Sequence, residues 1–179
     1  MLDHKKYADY FDSVGANTVG HTDKTYAAHA FGVAHDLGKW GADEDLCKAG
    51  VFHSIYGTEL FQGFTLSLEK REELKELIGE RAEWLSYMNC AMHRPTFDES
   101  VFLSEGPYPF VDRFTNERML LDDRDFNDLV VLQLCDWLEQ VGRSKSWEYR
   151  REGYSQMAKR LGGYPQECYD RVFALESTS

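Results

Sequence analysis

Residues 29–59 read HAFGVAHDLGKWGADEDLCKAGVFHSIYGTE: two helical stretches broken at Gly41, the first opening on a histidine and the second running into one. In the first stretch, taken from Lys24 to Trp40, Tyr26, His29, Val33, Asp36/Leu37 and Trp40 recur at steps of three or four. That is the period of one helix face, so His29 shares its face with bulky residues and is expected inside. Asp43 is a natural cap for the second stretch, DEDLCKAGVFHSIY, which turns almost wholly apolar at residues 49–52, as a buried central helix does. Gly57 bends or ends it.

Working outward, Asp3 caps a first helix to about Val14, and GANTVGHTD carries turn chemistry with Asp23 as the next cap. SLEKREELKELIG, from Ser67, is amphipathic and mostly solvated, and ERAEWLSYMNCAMHR packs through Trp84, Tyr87, Met88 and Ala91 until Pro95 closes it. Three of the four prolines fall in residues 95–121, where PFVDRFTNERMLL is read as one short β-hairpin near 109–121 that turns at Thr115-Asn116. A long helix follows from Asp125, with Leu129, Leu132, Asp136 and Glu139/Gln140 on one line, then WEYRREGYSQMAKRLGG and PQECYDRVFALES. The expected fold class is all-α, a bundle of seven or eight helices in one domain, residues 1–179, without repeats or linkers.

Composition narrows the function. At 179 residues with 42% hydrophobic and 14% aromatic content, the chain can bury a core, and no stretch approaches the ~18 apolar residues of a membrane span. The net charge of −11, with basic residues scattered among acids, argues against a nucleic-acid partner. It also disfavours a highly anionic substrate unless a metal or local arginines offset it. The first residues, MLDHKKYADYFDSVG, do not have the pattern of a signal peptide, so a cytoplasmic location is expected. Cys47, Cys90, Cys135 and Cys168 lie far apart without a C-x-x-C pair, which argues for buried thiols rather than disulfides or a zinc ribbon.

Three inward positions on three helices, His29, His53 and Asp136, carry groups that bind zinc, iron or manganese, and bundle interiors are where facing helices build such sites. Taken singly, each histidine fits a hydrogen-bonded core side chain at least as well. Their order, two histidines 24 residues apart and then an acid in LQLCDWLEQ, resembles the HD superfamily of metal-dependent phosphohydrolases. The step resembles that of the stringent-response ppGpp hydrolases. More closely, residues 29–59 resemble a group of HD-related proteins with the signature AG[LV]FHS[IV]YGT, and the likeness is strongest over residues 20–62.

This resemblance implies an HD-domain-like helical bundle and a metal held by His29, His53 and Asp136. It departs at Ser54, where HD enzymes place the aspartate that ligates, and in two-metal members bridges, the ions. One divalent transition metal (zinc, manganese or iron) with open water positions is then the expected cofactor. Glu59 could replace the lost carboxylate or act as general base if the helix continues past His53. Ser54 joins it as a catalytic candidate, with Tyr56, Thr58, His21 and Arg94 as candidate contacts to a small-molecule substrate. Each also has a structural reading: Tyr56 packs, Thr58 caps the bend, and His21 and Arg94 lie at the surface. His93 ends a helix whose dipole it complements. His35-Asp36 in HDLGK mimics the HD dipeptide; its upstream histidine would be His21, only 14 residues earlier with little chain for the usual helix and turn, or His4 in the first helix, which makes this the less favoured register.

Three functions follow. The first is a metal-dependent hydrolase of a small phosphoester or nucleotide-like compound, acting through metal-activated water. The second is a non-catalytic pocket or partner-binding protein on a decayed scaffold, for which Ser54 is the evidence. The third is an iron oxygenase of a small organic substrate, which a lost ligand weakens further.

Overall fold

The computed structural model describes residues 2–16, 18–21 and 24–176, with the backbone alone at His21. Asp23, expected as a cap, lies outside them. Among the described residues the chain is mostly helical, with nine α-helices and two antiparallel two-stranded pairs. It divides into two compact units, Met1–Cys90 and Ala91–Ser179.

In the first unit, α1 (His4–Val14) starts where Asp3 accepts the Lys6 amide at 3.0 Å, and ends at Gly15 in the left-handed conformation. The short strands β1 (Gly20–His21) and β2 (Lys24–Thr25) pair where the sequence suggested only a turn. Thr25 caps α2 (Tyr26–Lys39), its hydroxyl accepting from Ala28 N at 3.2 Å. Asp43 caps α3 (Glu44–Phe52) as expected, accepting from Leu46 N at 2.8 Å. Helices α2 and α3 pack against each other at Gly50, where a Cβ would meet Leu37 Cδ1 at 2.5 Å and Ala34 Cα at 3.2 Å. A side chain there would need Leu37 to move and Ala34 to give by a few tenths of an ångström, so glycine suits the approach.

The second helix of the opening stretch is shorter than its apolar run suggested. It ends at Phe52, and the chain turns through Ile55 N to Phe52 O (3.0 Å) and Gly57 N to Ser54 O (2.9 Å). Gly57 has φ +73°, and a Cβ there would press on Thr65 Cγ2 at 2.5 Å, so the backbone turns away where a continuing helix would have carried Glu59. A 3-10 turn (Leu68–Lys70), capped by Ser67, leads into α4 (Arg71–Ile78), which buries Leu74 and Ile78. Next, α5 (Glu80–Ala91) is buried along most of its length, including Glu83, Ser86 and Asn89. Phe11 gathers the unit's core, its ring 5.4 Å from Tyr26 and 5.1 Å from Phe52.

The second unit contains a helix that the sequence reading omitted. Pro95 lies in the first turn of α6 (Arg94–Val101) instead of closing the helix before it. A proline there sacrifices an amide that has no helical partner in any case. The expected hairpin is present: β3 (Tyr108–Val111) pairs with β4 (Arg118–Leu121), Tyr108 opposite Leu121, and Asp112 Oδ1 accepts Phe114 N (2.8 Å) and Thr115 N (3.2 Å) in the turn. Three helices follow, α7 (Asp123–Ser144), α8 (Arg151–Leu161) and α9 (Gly163–Phe173), each packed on the other two. No helix among the described residues is long and apolar enough to cross a membrane.

Candidate metal centre

His29 projects from the first turn of α2 and His53 caps the end of α3, both buried. Their rings meet edge to face, centroids 5.1 Å apart and planes at 79°, and each offers a ligating nitrogen within 4.8 Å of the other's. His53 Nδ1 lies 2.8 Å from the Gly50 carbonyl. A carbonyl only accepts, so the proton of the neutral ring sits on Nδ1 and the lone pair on Nε2. This is the electronic form in which an imidazole binds a metal, with the other nitrogen oriented by a backbone carbonyl.

The backbone of His53 is held as well. Its carbonyl accepts from Asn89 Nδ2 at 2.7 Å and from Cys90 Sγ at 3.2 Å, both buried on α5. Ser54, buried beside it, donates to Tyr26 Oη at 3.2 Å.

Asp136 belongs to the second unit and is buried on α7, where it accepts from Gln140 Nε2 at 2.9 Å. His29 and His53 are thus buried in the first unit and Asp136 in the second, and imidazole and carboxylate are both groups that could bind a metal ion.

The other candidates have various placements. Tyr56 donates to Glu83 Oε1 at 2.8 Å, and Arg71 grips the same carboxylate through Nε (2.7 Å) and Nη2 (3.0 Å) while lying 3.6 Å over the Tyr87 ring. Burial and then the Glu83 carboxylate hold the Tyr56 phenol far above its ordinary pKa. Burial alone would lower the Arg71 pKa, but the hydrogen bond and charge of Glu83 overcome it, and the net shift is upward. Thr58 is buried, its hydroxyl accepting from Phe61 N at 2.9 Å and its amide donating to Phe61 O at 2.8 Å. Glu59 is exposed, outside any helix. The side chain of His21 lies outside the described residues.

Arg94, expected at the surface, is buried and donates to Tyr149 Oη. His93 precedes α6 as its cap residue, with Nδ1 2.9 Å from Thr96 Oγ1, so it stands at a helix start rather than a helix end. His35 is exposed and Asp36 accepts from Lys39 at 3.1 Å, which puts the HD-like dipeptide on the outer part of α2.

Several participants gave no sequence signal. Glu83 has the composition of a solvated face, and only the distant Arg71 and Tyr56 make it a core residue. Asn89 and Cys90 act on a carbonyl 36 and 37 residues away. In the second unit, Arg150 binds Asp98 through Nε (2.8 Å) and Nη2 (2.6 Å), and reaches Gln133 (2.6 Å) and Tyr154 Oη (3.1 Å) through Nη1.

The model of a domain of unknown function (DUF6817) matches residues 10–94, an interval that holds both histidines and ends before Asp136. No curated protein and no solved structure matches the chain.

Proposed function

We propose that the protein is a metal-dependent hydrolase of a small phosphoester or nucleotide-like compound, with His29, His53 and Asp136 holding one divalent transition metal: zinc, manganese or iron. The observation that carries this reading is the buried imidazole pair, with His53 Nδ1 committed to the Gly50 carbonyl and Nε2 left as the basic nitrogen. When bound, such an ion supplies Lewis acidity and lowers the pKa of a coordinated water.

The chain's own groups then divide the remaining work. Ser54 spends its hydroxyl on Tyr26, which supports a single ion where the HD pattern has a carboxylate for a second. Tyr56 and Thr58 are engaged by Glu83 and by Phe61, and in this reading they brace the segment after His53. Arg94 is the cation suited to an anionic substrate group, its guanidinium pre-oriented by Tyr149. Glu59, exposed and outside any helix, would act only as a proton-exchanging group open to solvent.

The same serine favours a second reading, a ligand-binding pocket without turnover, because Ser54 to Tyr26 and Tyr56 to Glu83 make a hydrogen-bonded polar core that needs no metal. The two are separated by assaying phosphomonoesters and diesters with protein reconstituted with zinc, manganese or iron(II). Hydrolysis that requires metal and disappears in His53→Ala supports the hydrolase. Metal bound without turnover of any ester favours the pocket, and oxygen consumption by the iron form would instead indicate oxygenase chemistry.

A further inference from the structure

We propose that Asn89, assisted by Cys90, is a positioning residue that sets the metal affinity of His53; the inference rests on the reading of His53 as a ligand. His53 stands where α3 stops, and the last carbonyls of a helix lack intrahelical partners. The carbonyls on either side are taken by the following turn, Phe52 O by Ile55 N and Ser54 O by Gly57 N. The His53 carbonyl is taken by side chains of another helix, at 2.7 Å from Asn89 Nδ2 and 3.2 Å from Cys90 Sγ.

Both donors are almost wholly buried, at 1% and 0% exposure, so water cannot substitute for them. The ring is tied separately, Nδ1 to Gly50 O at 2.8 Å within its own helix. Residue 53 is thus fixed at its backbone by α5 and at its ring by α3, and the direction of Nε2 follows from both. A thiol is a weak donor, so Asn89 carries most of the restraint. Groups bonded to the ligating ring itself typically contribute about 10–100-fold to metal affinity, and a clamp on the same residue's backbone acts one step further out, at or below the lower end of that range.

The test uses the full chain with Asn89→Leu, which keeps bulk and removes the donor, and Ser86→Ala as control. Ser86 is a buried α5 neighbour whose hydroxyl donates to Ala82 O at 2.9 Å and, more weakly, to Ala49 O at 3.5 Å, four residues before His53, and not to His53 itself. Zinc affinity is measured by chelator competition, and the His53 ring tautomer is read from nitrogen NMR of the metal-free protein.

Asn89→Leu is expected to bind zinc up to about 10-fold more weakly and, as the loosened residue slips from Gly50, to show a mixed His53 tautomer, while Ser86→Ala keeps wild-type affinity and the single Nδ1–H form. A folded Asn89→Leu with wild-type affinity and tautomer overturns the proposal. If Asn89→Leu does not fold, Cys90→Ala takes its place: a several-fold loss of affinity that Cys90→Ser restores supports the clamp, and an unchanged affinity overturns it. A wild-type protein that binds no zinc removes the metal reading alone. The tautomer comparison then decides whether Asn89 orients the ring.

Discussion

The two units bury polar groups in opposite styles. In the second, Arg150 meets Asp98, Gln133 and Tyr154, opposite charges cancel, and Trp137 stacks on Tyr154 at 5.1 Å with the planes 4° apart. The first unit also contains a cluster of that kind, Arg71 and Tyr56 on Glu83, but in addition it holds two imidazoles 5.1 Å apart. Two imidazoles do not neutralise each other as guanidinium and carboxylate do. They place two ring nitrogens within 4.8 Å of each other, an arrangement that could serve a cation. On the proposed reading, the self-cancelling clusters hold the fold and the histidine pair is where function should be sought.

That contrast can be broken most forcefully at the ion pairs. Glu83→Ala leaves Arg71 and Tyr56 facing an empty buried position, and Arg150→Met leaves Asp98 and Gln133 in the same state. Each should cost about 2–3 kcal/mol in urea unfolding, less than a fully buried pair would, because the partner left behind, Arg71 at 27% or Asp98 at 24% side-chain exposure, is partly screened by water. A loss below about 1 kcal/mol in either would mean that the cluster does not hold its unit together.

A smaller effect sharpens the account of the second unit. Burial is the main cause that pushes the Tyr154 phenol up to about 12, while the Arg150 and Arg94 guanidiniums pull it down. The folded state therefore keeps this proton at pH values where the unfolded phenol, near 10, has lost it. Its contribution to stability is complete below pH 10 and is lost as pH rises from 10 to 12. Tyr154→Phe should accordingly show a shallower fall in stability over that window than wild type. Equal slopes would place the phenol in a more hydrated setting than its burial implies.

Much of this was legible in the sequence, for identifiable reasons. Asp3 and Asp43 announced their helices because a short acid before an apolar period has a single local role, and clustered prolines between helical periods marked the hairpin. His29 and His53 stood out as polar residues on apolar faces, and both are buried. The chain around Pro95 was misread because proline both ends helices and begins them, and α6 uses it for the second. Glu59 was misplaced because the apolar run into His53 hides the turn at Gly57. Glu83, Asn89 and Arg150 were not legible as core polar groups, since their partners come from other elements and no local spacing records them.

The central claim is tested most directly by the metal content of protein purified without a chelator or a histidine tag, measured by mass spectrometry beside His53→Ala and Asp136→Ala. The account predicts about one transition metal per chain in the wild type and loss of it in both variants. Protein that stays metal-free after reconstitution with zinc, manganese and iron(II), or a His53→Ala variant that retains the wild-type amount, would contradict it.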